Sequence, residues 1–159
     1  MTRFLTLTLS ACAALGVAAS AVADGHSNLD LEGAVKSRKS VMTLVSYHTG
    51  VLGDMAKGEA PYDAEIAVAA AENLAAAASM NRVVLYPAGT EQGAIAGSRA
   101  KAEIWSDPTG YDQAATTLQV AATDMVVAAG TDLEALRGAM GAVGSTCRAC
   151  HEAYRGPRN

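Results

Sequence analysis

The chain has 159 residues, of which 50% are hydrophobic, 18% charged and only 4% aromatic, with a net charge of −4 and a pI near 5.3. This apolar content and balanced charge exclude a disordered or collagen-like chain, and an acidic protein lacks the basic surface that nucleic-acid binding requires. Alanine occurs 35 times; it is the strongest helix former, and few aromatic or β-branched residues remain to build a sheet, so the composition points to one small, mostly helical domain.

The N-terminal segment reads as an address. Arg3 precedes an uncharged apolar stretch from Phe4 to Val22, and Ala21-Val22-Ala23 before Asp24 is a small-x-small processing site. A basic start, an apolar middle and such a site make a secretory signal peptide over residues 1–23, with residues 24–159 as the exported domain in the periplasm. A second reading takes Leu9-Ser10-Ala11-Cys12 as a lipoprotein box, but it would leave only Phe4 to Leu9 as the apolar region, shorter than the ~7–15 residues expected. Charges or glycines interrupt every later apolar stretch, so no membrane insertion of the exported domain is expected. That domain would carry 11 basic and 16 acidic residues.

Ser27 and Asn28 can cap a first helix with Asp30 and Glu32 in its opening turn, where acids suit the helix dipole. Apolar residues recur at helical spacing from Leu31 to Met55, and Gly58 and Pro61 close the element. Pro61-Tyr62-Asp63 opens a second helix running from Ala64 to about Met80. Residues Arg82 to Gly97 read as loop, and Ser98 to Trp105 as a short helical lead-in. Asp107-Pro108 is an N-cap followed by proline at the first helical position, starting a third helix that Gly130 stops after Ala129. Thr131-Asp132-Leu133-Glu134 matches a capping box with Thr131 at the cap, opening a fourth helix that ends before Gly156-Pro157. Long helices with mostly short links describe an all-α fold, an antiparallel four-helix bundle.

One motif carries chemistry. Cys147-Arg148-Ala149-Cys150-His151 in an exported chain is the attachment sequence for c-type haem. At about 100° per residue, Cys147 and His151 lie about 40° apart on one helix face, and Cys150 lies about 60° to the other side of Cys147. Two thiols can therefore bond the two vinyl groups of one haem while the adjacent imidazole ligates its iron. The competing readings are weaker. A redox Cys-x-x-Cys belongs beside a β-α-β unit, zinc wants four ligands where only His26 and His48 remain as other histidines, and a disulfide across so short a loop adds little constraint.

The haem motif sits in the last helix of an alanine-rich four-helix pattern. With Arg38-Lys39-Ser40-Val41-Met42, Val51 to Glu59, Tyr86-Pro87-Ala88-Gly89-Thr90, Ile104-Trp105 and Cys147 to Arg155, the chain resembles the class II cytochromes c, the cytochrome c′ and c-556 group, over nearly all of the exported domain. The resemblance implies one covalently attached haem c, with Cys147 and Cys150 as its anchors and His151 as an axial iron ligand. It places Met42 on the distal side, as an iron ligand in the six-coordinate c-556 pattern; the alternative is a thioether that packs without bonding. It implies that Arg38, which shares a helix face with Met42, contacts a haem propionate, although Lys39 stands where many relatives have Gln. Arg155, one turn beyond His151, reads either as the family's basic residue beside the proximal pocket or as a cation at a helix C-terminus. Met55, Met80, Met125 and Met140 are expected in the core, Trp105 and Tyr154 as packing residues, and His48 away from the Met42 face.

His/Met ligation saturates the iron and favours electron transfer with redox partner proteins. A five-coordinate iron would instead bind nitric oxide or another small gas. No acid–base or nucleophilic constellation accompanies the motif, so no substrate-converting enzyme is expected. Relatives form dimers through their first two helices, and the resemblance extends a homodimer to this chain.

Overall fold

The computed structural model describes residues 30–158; the expected signal segment, Cys12, His26, Ser27 and Asn28 lie outside them. Four long helices form the fold: α1 (Leu31–Lys57), α2 (Ala64–Ala78), α4 (Pro108–Thr131) and α5 (Leu133–Tyr154). A 3-10 turn at Val83–Leu85 and the short helix α3 (Glu103–Ser106) interrupt the long connection from α2 to α4. α1 packs on α2 and α5, and α4 on α2 and α5, so each long helix meets two neighbours around one core. The neighbours run antiparallel. Tyr62 at the start of α2 donates to the Ala129 carbonyl near the end of α4, and Arg137 in the first turns of α5 donates to the Ala56 carbonyl at the end of α1.

Helix boundaries follow local chemistry, with three differences from the sequence reading. Asp30 is itself the cap of α1, its carboxylate accepting from Gly33 N–H at 2.8 Å, and is not a residue of the first turn. Gly130 does not stop α4, which runs on to Thr131. A Cβ at Gly130 would stand 3.2 Å from Val68 Cγ2, so glycine serves the approach of α2 rather than the end of the helix. The cap of α5 is Asp132, which accepts from Ala135 N–H at 2.8 Å, while the Thr131 hydroxyl turns back to the Val127 carbonyl within α4. Gly58 behaves as expected, closing α1 in the left-handed conformation at φ 80°, which glycine adopts without steric cost.

The main core gathers Leu52, Leu74, Met125, Leu136 and Val143, all fully buried, among alanines such as Ala67, Ala71, Ala122 and Ala129. Small side chains let the α2 and α4 backbones come close. A second, aromatic cluster covers the other end: Ala100, Ile104 and Tyr111, with Tyr86, Trp105 and Tyr154 packed against them. Here the loop after residue 90 lies along the C-terminus, with Lys101 N–H bonded to the Tyr154 carbonyl and Gly156 N–H to the Arg99 carbonyl. Among the described residues no helix is long and apolar enough to cross a membrane.

Candidate haem site

The last two turns of α5 bring the predicted residues together. Cys147 and Cys150 are free thiols, both half-buried, and His151 follows, exposed, in the final turn. Burial pushes both thiol pKa values up, holding sulfur protonated. For the imidazole, burial acts in the opposite sense: it lowers the His151 pKa, and the Arg155 and Arg99 charges lower it further. The neutral ring is the form that binds a metal. Arg155 Nη1 lies 3.4 Å from His151 Nδ1, so the two stand together as their one-turn spacing predicts.

The surroundings fit a covalently held porphyrin. Arg82 and Tyr111 both lie within electrostatic range of the Cys150 thiol. They also line an open cleft of about 680 Å³ whose other walls include Met80, Val83, Tyr86, Ile104 and Trp105. Val83 is 79% exposed and Met80 46%, an apolar surface that a large flat ligand would cover. Among the described residues Arg82 has a buried Nε with no hydrogen-bond partner, and its one ion pair is long, 3.7 Å to Asp112. Zinc is not served by this geometry, since no three His, Cys, Asp or Glu side chains gather among the described residues.

Two residues on α1 complete the predicted set. Met42 is 41% exposed and belongs to neither apolar cluster. Met55, Met125 and Met140 pack in or against the core as expected; Met80 does not, and lines the cleft instead. His48 rests edge-on against Tyr47, with ring centroids 5.1 Å apart. Arg38 is only 5% exposed. Its Nη1 donates to the Leu85 carbonyl and Thr90 Oγ1, and its Nη2 to the Thr90 carbonyl and Ser98 Oγ. The guanidinium also lies 4.8 Å from the centroid of the Tyr86 ring. Both hydroxyls pass the network on, Thr90 to the Pro87 carbonyl and Ser98 to the Thr90 carbonyl. Four of the five N–H donors of a guanidinium thus fasten the α2–α4 connection to α1.

Sequence reasoning missed that clamp, because Thr90 and Ser98 lie 52 and 60 residues from Arg38. It also missed the aromatic run Tyr86–Tyr111–Tyr154, whose successive rings meet edge-on at 5.2 and 5.4 Å. Burial drives the Tyr111 hydroxyl pKa far upward, so that phenol stays neutral. Trp105 and Tyr154 are packing residues as expected, anchored by bonds to the Tyr86 carbonyl and the Asp107 carboxylate.

A four-helix bundle with paired thiols and an imidazole closing its last helix defines a helical c-type haem protein. The cytochrome C′ family model matches residues 33–155, and the chain belongs to that family, the class II cytochromes c. A relative named cytochrome c-554 from Cereibacter sphaeroides is 45% identical over 125 residues, covering 79% of this chain and 94% of the relative. The solved cytochrome c′ from Rhodobacter sphaeroides superposes with a TM-score of 0.78 at 38% identity, covering 81% of this chain and 99% of that one. A nitric oxide complex of a cytochrome c prime variant from Alcaligenes xylosoxidans superposes at 0.71, also at 38% identity, covering 80% and 97%. Members of the family carry covalently bound haem c, and haem c is the cofactor of this chain.

Proposed function

We propose that the protein is a periplasmic carrier of single electrons, with Cys147 and Cys150 as the covalent haem anchors, His151 as one axial ligand of the iron and Met42 as the other. When bound, the haem supplies a one-electron couple. The chain's own residues set its surroundings: His151 offers a neutral imidazole, the aromatic cluster and Ile104 exclude water from one wall of the cleft, and the Arg38 clamp fixes the adjoining connection one turn before Met42. The carrying observation is the Cys147–Cys150–His151 constellation beside a cleft with an exposed apolar flank at Met80 and Val83, with an exposed methionine on α1 outside the core. A propionate contact from Arg38 would fall to its Nε, since the other donors hold the loop. Export of residues 24–159 after removal of residues 1–23 and pairing of two copies through α1 and α2 belong to the same proposal.

A second reading has specific support in the nitric oxide complex of the cytochrome c prime from Alcaligenes xylosoxidans. If the Met42 thioether packs without bonding, a small gas would reach a five-coordinate iron. The absorption spectrum of the reduced holoprotein separates the two. Sharp low-spin α and β bands that carbon monoxide leaves unchanged are expected for His/Met ligation; a broad high-spin spectrum that shifts under the gas would establish the second reading in its place.

A further inference from the structure

Charge is divided unevenly between one end of the bundle and the rest of it. The end where α1 gives way to α2 and α4 to α5, covering residues 54–65 and 124–137, holds seven acidic residues against two basic ones. The remaining described residues hold eight acidic against nine basic, although the whole chain is acidic. Two of those basic residues stand beside His151: Arg155 Nη1 lies 3.4 Å from its Nδ1, and Arg99 lies within electrostatic range of the ring. The loop lying along the C-terminus brings Arg99 up to Arg155 and Arg158, whose charges lower the Arg99 pKa after burial does so. Lys101 Nζ reaches the Glu152 carbonyl at 2.8 Å, and Lys39 Nζ lies 3.5 Å from where a side chain on Gly97 would begin. Among the described residues the ion pairs are those of Lys57 with Asp54 and Glu59 and of Arg82 with Asp112. Arg99, Lys101, Arg155 and Arg158 enter none of them, so the fold gathers these like charges without a close ion pair among the described residues.

We infer that the face formed by Lys39, Arg99, Lys101, Arg155 and Arg158 is the docking surface for a redox partner protein that presents carboxylates around its own electron-transfer centre. The inference rests on the proposed ligation by His151, which puts the haem iron next to this face. A local field of several kT steers an encounter even where the net charge has the opposite sign, and complementary charge sets on-rate and orientation more than affinity. The acidic far end acts in the same sense, turning away an acidic partner that approaches wrong end first.

The test uses the reduced holoprotein and two small oxidants of opposite charge, each taking one electron: the anion hexacyanoferrate(III) and the cation tris(phenanthroline)cobalt(III). Local steering predicts that oxidation by the anion slows as ionic strength rises, because added salt shortens the reach of the field to ~8 Å near physiological strength. The double variant Lys39→Glu/Arg158→Glu should slow that reaction about three- to tenfold at low salt and leave it unchanged at high salt. Its haem spectrum should match that of the parent protein. The inference is overturned if the cation reaction is the one slowed by salt, as net charge dictates, or if the double variant leaves the anion rate unaltered. Loss of the covalent haem on denaturation would overturn the haem assignment itself, and mass measurement detects it before any rate is taken.

Discussion

The two ends of the bundle are built by different rules. At the end where α1 meets α2 and α4 meets α5, short connections carry strong local signals: Gly58 in the left-handed conformation, Asp63 capping α2 and Asp132 capping α5. Close packing of alanines finishes the job. The opposite end spans Ser79 to Asp107 with only a 3-10 turn and a four-residue helix, and it is held by the buried Arg38 network, the tyrosine cluster and the bonds between the loop and the C-terminus. Regular structure satisfies its own backbone; irregular structure beside a functional site borrows side chains for that purpose. The chemistry sits where the borrowing is heaviest.

Replacing both thiols, Cys147→Ser with Cys150→Ser, attacks the functional end most severely. Haem should then separate completely from the denatured chain, as mass spectrometry would read; retention of covalent haem would break the contrast between the ends. At the core shared by both, Leu136→Ala should cost about 2–5 kcal/mol, measured by urea unfolding, because Leu136 is fully buried. Arg38→Met should cost about 1–3 kcal/mol by removing the donor to the Leu85 carbonyl and Thr90 Oγ1. It should also speed amide exchange between residues 83 and 100 while α2 and α4 keep their protection. Equal acceleration everywhere would mean that the guanidinium supports the bundle rather than the loop. The smallest effect sharpens the other end: Asp132→Ala should lose about 1 kcal/mol, whereas Thr131→Ala, which removes only a hydroxyl bonded back into α4, should change stability by a few tenths at most.

This contrast also explains what was legible in the sequence. Helical spacing, Asp107-Pro108 and Gly58 marked the long elements because each signal acts within a few residues. The α5 cap was displaced by one position, since Thr131 and Asp132 are both good caps and only the way α4 ends decides between them. Gly130 was misread because its reason, Val68 on α2, is distant in the chain. The Cys147–Cys150–His151 motif was legible because a single helix carries it. The Arg38 clamp was not: its partners come from a loop whose position depends on the whole fold. Met80 likewise left the core for the cleft because α2 ends at Ala78, before its turn could face inward.

In the proposed ligation Met42 would join the two halves of the site, bringing α1 to a haem anchored on α5, and Met42→Ala tests that most directly. Absorption spectra of the reduced parent and variant holoproteins, recorded with and without carbon monoxide, give the result. The expected result is a low-spin parent indifferent to the gas and a high-spin variant that binds it. A parent protein already high-spin, with a spectrum the variant merely repeats, would contradict ligation by Met42.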